Sequence, residues 1–162
     1  MRVFKAPEDV KVEGYELKIF MAGSIEMGKA ENWQERLTRE LEGLPVCLIN
    51  PRRDDWDSTW VQSIDNPQFN TQVNWELDHI TSSDIVVFVF DPSTMSPITL
   101  LELGYVAGLF QEAIIMCPEG FWRKGNVDVL VSRCHQIQQV HSMEELVDEI
   151  KNRVSDFEIF LF

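Results

Sequence analysis

The sequence predicts an α/β fold, a doubly wound, five-stranded parallel sheet with helices on both faces. Three observations lead there. Ile85-Val86-Val87-Phe88-Val89-Phe90 is an unbroken apolar run without alternation, the mark of a strand buried on both faces at the centre of a parallel sheet. Strand-like apolar runs alternate along the chain with amphipathic helical segments, the order that builds βαβ crossovers. After the central run the chain turns polar, Asp91-Pro92-Ser93-Thr94-Met95, and Ser96-Pro97 then pairs an N-cap residue with one preset for the first helical position. A helix therefore starts at the carboxyl edge of that strand, where ligands sit in open α/β sheets.

Each element has its own signal. Residues 1–14 are polar, carry Pro7 and Gly14, and read as an extended lead-in. Residues 17–22 are the first strand, and the turn Gly23-Ser24-Ile25-Glu26-Met27-Gly28 follows; its glycines let backbone N–H groups approach a ligand. Residues 30–42 make an amphipathic helix with Trp33, Leu37 and Leu41 on one stripe and Gly43 as its stop. Residues 45–49 are the second strand. Residues 50–69 have no clear period and hold Pro51, Arg52, Arg53, Trp56, Trp60 and four aspartates; so long a structureless stretch in a compact domain is functional or mobile. The helix at 70–81 turns Val73, Leu77 and Ile80 inward and carries Glu76 on another face, toward the sheet edge. The third strand is 85–90, and the helix from Pro97 carries Glu102 in its second turn.

The fourth strand is 113–117, 118–128 is a loop, 129–133 a short helix and 136–140 the fifth strand. Ser142 and Glu145 form a capping box for a last helix ending near Arg153, with Leu146, Val147 and Ile150 as its buried stripe. The tail 154–162 is too apolar for open water; it either packs on its own domain or covers a neighbouring subunit. Right-handed crossovers then give the strand order 2-1-3-4-5, a flavodoxin-like, Rossmann-like arrangement. Its switch point is the gap between the first and third strands, so Gly23-Ser24 and residues 91–96 border one crevice.

The totals narrow the function. At 162 residues the expectation is one domain spanning 1–162, large enough to bury a core. A formal charge of −13, from 27 acids against 14 bases, argues against a nucleic-acid partner, which needs a basic face. Three widely spaced cysteines read as buried, reduced thiols that suit a cytoplasmic protein. No apolar stretch approaches the roughly 20 residues that span a bilayer, and the N-terminus lacks a signal peptide's core. His79, His135 and His141 show no metal spacing, so neither metal nor cofactor is expected. The first turn lacks the Gly-Lys-Ser/Thr ending of a nucleotidase phosphate loop, which argues against an ATPase.

Glu102 is the prime candidate for chemistry. Flanked by leucines, with Tyr105 and Val106 a turn away, it either finds surface or is a half-desolvated carboxylate able to act as nucleophile or proton carrier. Ser96 and Ser24 are a cap and a turn serine that can also contact a ligand, and Asp91 and Glu76 are either solvated acids or site groups. Arg52 and Arg53 are surface bases that could attract an anion. Trp56, Trp60 and Trp122 lie in loops, where an indole stacks on a base or packs in the core.

Three stretches in this order carry a resemblance: Phe20-Met21-Ala22-Gly23-Ser24-Ile25, Asn74-Trp75-Glu76-Leu77-Asp78-His79-Ile80 with Ser83-Asp84, and Leu101-Glu102-Leu103-Gly104-Tyr105-Val106-Ala107. Over roughly residues 17–140 the chain resembles the nucleoside 2-deoxyribosyltransferase superfamily, which includes the 2′-deoxynucleoside 5′-monophosphate N-glycosidases. The resemblance implies a nucleoside or nucleotide substrate, with Glu102 as nucleophile on the sugar C1′ and Glu76 in place of an acid, usually aspartate, that handles the base. It implies that Ser96 and Ser24 contact the 5′ end of the sugar or its phosphate. It further implies that Asn126 is lent to the neighbouring subunit's site, so a homo-oligomer with shared sites is expected. Phe20 stands where many members have a tyrosine that steadies the nucleophile, and Glu26 where the monophosphate hydrolases have an arginine, a charge that Arg52, Arg53 or Lys29 would have to replace. The expected activity is cleavage of an N-glycosidic bond with transfer to another base or to water. The alternative is a catalytically silent nucleotide-binding module.

Overall fold

The computed structural model describes residues 1–25, 31–53 and 55–161. Glu26, Met27, Gly28, Lys29, Ala30, Asp54 and Phe162, on which parts of the expectations above rest, lie outside the described residues, as do the side chains of Phe160 and Leu161. In order the elements are β1 (Arg2–Lys5), β2 (Leu17–Gly23), α1 (Trp33–Glu40), β3 (Val46–Asn50), α2 (Pro67–Thr81), β4 (Ile85–Val89), α3 (Pro97–Gly108), β5 (Ala113–Met116), α4 (Lys124–Val131), β6 (Ile137–Val140) and α5 (Met143–Leu161). The strands form one parallel sheet in the order β1-β3-β2-β4-β5-β6.

From β2 onward this is the expected 2-1-3-4-5 order, and the expected class holds. The correction is the strand count, six rather than five. The added edge strand, β1, comes from the lead-in and pairs with β3 from Arg2 opposite Cys47 to Lys5 opposite Asn50. Arg2 anchors it by a two-pronged pairing with the buried Glu16 carboxylate. A four-residue strand with polar neighbours has no sequence period of its own; the pairing creates it.

Side chains of β2 alternate between two cores. Leu17, Ile19 and Met21 meet Trp33 and Leu37 of α1, Leu41 at its C-cap, and Leu146, Val147, Ile150 and Val154 of α5. Phe20 and Ala22 meet Ile80 of α2, Leu103 and Val106 of α3, and Val127 and Val131 of α4. The helices thus cover both faces, as parallel strands require.

Helices α2, α4 and α5 depart from the sequence expectation, each for a local reason. α2 starts at Pro67 because Asn66 caps it, accepting the N–H groups of Gln68 and Phe69 (3.1 and 3.2 Å). Its Leu77 is 37% exposed instead of inward. α4 starts at Lys124, whose ammonium reaches Asp128 one turn on (2.6 Å). α5 runs to Leu161, so the supposed tail is helix: Val154 and Phe157 continue the stripe of Leu146, Val147 and Ile150 onto its own core. The capping residues do act there, Ser142 Oγ accepting the N–H of Glu145 (3.1 Å) while the Glu145 carboxylate accepts that of His141 (2.8 Å). Among the described residues, no helix is long and apolar enough to cross a membrane.

Gly23 ends β2 at φ 156°, where an added Cβ would lie 2.5 Å from the Val89 carbonyl oxygen and 2.6 Å from the Trp33 ring. Both neighbours are held, one by the sheet and one by the core. Gly23→Ala should therefore cost about 2 kcal/mol, lowering Tm by roughly 4–8 °C in a chain of this size. A thermal melt matching the parent's would mean that this junction yields easily.

Candidate active site

β2 and β4 are neighbours to their ends, with Gly23 opposite Val89, so both chains leave the sheet side by side. Ser24 is then fixed by its backbone: its N–H donates to Val89 O (2.9 Å), and its carbonyl accepts from Trp33 Nε1 (3.2 Å). Its hydroxyl accepts the Asp91 N–H (2.9 Å). It also lies 2.6 Å from Ser96 Oγ and 3.0 Å from Thr94 Oγ1, which are 2.7 Å from each other. Three hydroxyls from two chain segments are thus buried together, tolerable because each satisfies the others.

Ser96 holds the N-cap position of α3, yet its hydroxyl makes no capping bond. At φ 44° and ψ 52° the residue is left-handed, which for a residue with a Cβ costs about 1–2 kcal/mol. The turn swings the hydroxyl to Ser24 instead of onto the helix. Asp91 spends its Oδ1 within its own loop, accepting the Ser93 N–H (2.8 Å) and Oγ–H (2.6 Å). It shapes the turn while its main-chain N–H meets Ser24.

Glu102 lies on the same helix, about one and a half turns beyond Ser96. Thr99, Leu103, Val106 and Ala107 make the inner face of α3, and Glu102 at its margin is 9% exposed. Among the described residues, none donates a hydrogen bond to its carboxylate. Burial, reinforced by the nearby negative charge of Glu76, pushes the Glu102 carboxyl up from 4.5 to about 8. Glu76 on α2 is half-buried. Burial also raises its carboxyl, against the opposing pull of a hydrogen bond from Gln72 Nε2 (2.8 Å). Two acids that feel each other in a dry setting titrate as a pair.

The structure brings Gly23, Ser24, Asp91 and Ser96 together, and separately Glu76 and Glu102. It does not bring Asn126 to Glu102 within one chain. Arg52 is half-buried at the end of β3, its N–H on Asn50 Oδ1 (3.0 Å). Trp56 is 38% exposed and edge-on to Trp60, ring centroids 5.0 Å apart. Asn126 lines a groove of about 280 Å³ between α3 and α4, with Leu100, Leu103, Arg123, Val127 and Leu130. Leu100 and Glu102 point roughly 160° apart around α3, so this groove is on the helix flank away from Glu102. A second groove, of about 240 Å³, opens at the carboxyl edge beside Trp33, Asp91 and Met143 on the α1 and α5 side. Glu102 lines neither.

Two residues of the site were not among the candidates. Thr94 had no signal beyond lying in the loop. Gln72 did, because it stands four residues before Glu76 on one helix, the spacing at which side chains meet. Among the described residues, no group of three or more His, Cys, Asp or Glu is placed to hold a metal ion.

The comparisons with known proteins bear on the family and the fold. A family model described as nucleoside 2-deoxyribosyltransferase like matches residues 16–121. Among solved structures, a conserved protein from Enterococcus faecalis V583 superposes with a TM-score of 0.58, over 85% of this chain and 99% of that one, at 18% identity. That likeness speaks for the fold. Among curated proteins none matches the sequence.

The buried acid has a thermodynamic signature. A carboxyl that titrates at about 8 when folded, and near its ordinary value when unfolded, takes up a proton on folding between those values. Stability therefore falls as pH rises through that window. Glu102→Gln is neutral throughout and removes the fall. Its stability relative to the parent should rise from pH 5 to pH 8 by on the order of 1 kcal/mol per pH unit, then level off. Parallel pH profiles of Tm for the two proteins would show Glu102 to be an ordinary ionised acid.

Proposed function

The chain belongs to the nucleoside 2-deoxyribosyltransferase-like family, and on that premise we propose that it cleaves the N-glycosidic bond of a 2′-deoxynucleoside or its 5′-nucleotide. The observation that carries the reading is the buried Glu102, to which none of the described residues donates, beside a second acid, on the helix whose N-cap residue joins the Ser24 hydroxyl at the sheet edge. Ser24, Thr94 and Ser96 receive the 5′ end of the sugar, which sets C1′ against Glu102.

One shared proton serves both halves of the chemistry. At rest Glu102 holds it and Glu76 is charged. Once substrate is bound, the proton passes to Glu76. The freed Glu102 carboxylate forms a bond to C1′, the C1′–N bond breaks, and its electron pair leaves with the base, which takes the proton from Glu76. The ester to Glu102 is then released to a second base or to water, a two-step course that explains why a carboxylate must touch the sugar.

The test is to incubate the protein with deoxynucleosides and deoxynucleotides, with and without a second free base, and follow the bases by chromatography. Base release is expected, with a new nucleoside in the mixed incubation if transfer dominates. Glu102→Ala should lose at least about 10³-fold in rate. The pH profile of kcat/KM should be bell-shaped, with an alkaline limb near the value of about 8 at which the pair loses its last proton. Unchanged substrate in every mixture, or full activity in Glu102→Ala, ends the claim.

One observation favours the silent nucleotide-binding module. Phe20 is fully buried, its ring 6.4 Å from that of Trp75, and offers Glu102 no hydroxyl. Calorimetry showing nucleotide binding without base release would choose this reading, and no binding would reject it.

Assembly completes the proposal. Asn126 is turned away from its own Glu102, and the outer face of α3 leaves Ile98, Leu101 and Tyr105 exposed at helical spacing. We read both as features of a homo-oligomer in which each chain lends Asn126 to its neighbour. Sedimentation should show a dimer or larger species that Leu101→Glu reduces in size. A parent protein that sediments as a monomer would remove Asn126 from the site.

A further inference from the structure

Gln72 is 3% exposed and sits at a junction between α2 and the segment that follows β3. Its amide nitrogen donates twice, to the Pro51 carbonyl oxygen (3.2 Å) and to Glu76 Oε1 (2.8 Å). Its amide oxygen faces Arg53 Nη1 (3.4 Å). Two acceptors stand on one side and a donor on the other, so only one orientation of the amide is chemically acceptable. Turned over, its oxygen would face a carbonyl and a carboxylate while its NH₂ faced a guanidinium.

Both groups that hold Gln72 in place belong to the segment following β3. Arg53 is itself fixed there, with Nε and Nη2 on the two oxygens of Asp55 (2.9 and 2.8 Å) and its guanidinium over the Trp60 ring (5.2 Å). Trp60 in turn rests against Trp56. An unbroken series of contacts runs from this exposed aromatic and charged segment, through one buried amide, to the acid on α2.

Among the described residues, Gln72 is the one that donates a hydrogen bond to the Glu76 carboxylate. From α3 that carboxylate faces Glu102, a like charge. From the segment after β3 Arg53 is reached across Gln72. On α2 itself Asp78 is exposed, and His79 turns to Lys18 Nζ (3.3 Å) and the Trp75 ring. A donated hydrogen bond favours the ionised form of a carboxyl, so of the two acids Glu76 is the one held charged.

We propose that Gln72 is a positioning residue for Glu76, through which the segment after β3 determines where the single proton of the Glu76–Glu102 pair rests. Its consequence for catalysis rests on the reading in the preceding subsection. Gln72 keeps Glu76 as the empty proton acceptor, so that substrate binding, and not solvent, moves the proton off Glu102. A base docking near Trp56 and Trp60 would act on the same contacts, which couples occupancy of that segment to ionisation of the nucleophile.

The test reads protonation directly and needs no turnover. In protein labelled with ¹³C at the glutamate carboxyls, the Glu76 and Glu102 resonances are assigned with Glu76→Gln and Glu102→Gln and followed from pH 4 to 10. In the parent, Glu76 should titrate below Glu102. In Gln72→Met, which keeps the bulk and removes the donor, Glu76 should titrate at least one pH unit higher, a tenfold change in its ionised fraction at a given pH. Glu102, relieved of a neighbouring charge, should move down. An unmoved Glu76 titration in a folded Gln72→Met overturns the proposal. If Gln72→Met does not fold, Arg53→Met decides in its place: an upward shift of Glu76 supports the coupling and no shift overturns it. Failure of the parent to release base would sink the glycosidase reading while leaving this titration intact.

Discussion

The parallel pairing of β2 with β4 is the constraint from which the rest of the molecule follows. It runs from Ile19 opposite Ile85 to Gly23 opposite Val89. Two parallel neighbours end at the same edge, and here they belong to opposite halves of the winding, so nothing crosses the gap between them. Ser24 and the 91–96 segment are delivered into that gap by the sheet itself. The register leaves no room for error at Gly23, whose missing Cβ lets the Val89 carbonyl and the Trp33 ring close on the junction. Once there, the hydroxyls of Ser24, Thr94 and Ser96 can be buried because each answers another.

The same sheet face explains the unusual acids. α2 and α3 both pack on the Phe20 side of the sheet, which sets Glu76 and Glu102 near each other where water is scarce. In such a place charge is expensive and like charges are worse. A pair of this kind lowers stability at neutral pH, and structures keep such groups where a function repays the cost. The left-handed Ser96 at the head of α3 is a second feature that favours the site over stability.

Charge is distributed in keeping with this. The chain carries a large acidic excess, yet Arg53, which meets the amide that holds Glu76, is already engaged by Asp55 and Trp60. It acts on Glu76 only through a neutral amide. An interposed glutamine transmits orientation where a direct ion pair would have pinned the acid in its ionised form.

How much of this could be read from residues alone differs element by element. The central strand, the cap at Ser142, and the stripe of Trp33, Leu37 and Leu41 were legible because period and capping are local properties. So were the winding order, since crossover handedness leaves few choices, and the identities of Ser24, Ser96, Glu76 and Glu102 as candidates. What stayed hidden depended on partners far along the chain. β1 exists only because β3 offers it an edge and Glu16 holds Arg2. The last turns of α5 are helical because Phe157 finds the first core. Thr94 joins Ser24 across seventy residues, and the amide of Gln72 is aimed by Pro51 and Arg53.

By itself the sequence determined the class of fold and the winding order, because those follow from short-range periodicity and crossover geometry. Only the tertiary structure decided that the Ser96 hydroxyl turns to Ser24 instead of capping its helix, that Asn126 faces away from Glu102, and that one carboxyl is driven up while a glutamine restrains the other. Burial and hydrogen-bond geometry are properties of what the folded chain brings into contact, and no local pattern of residues encodes them.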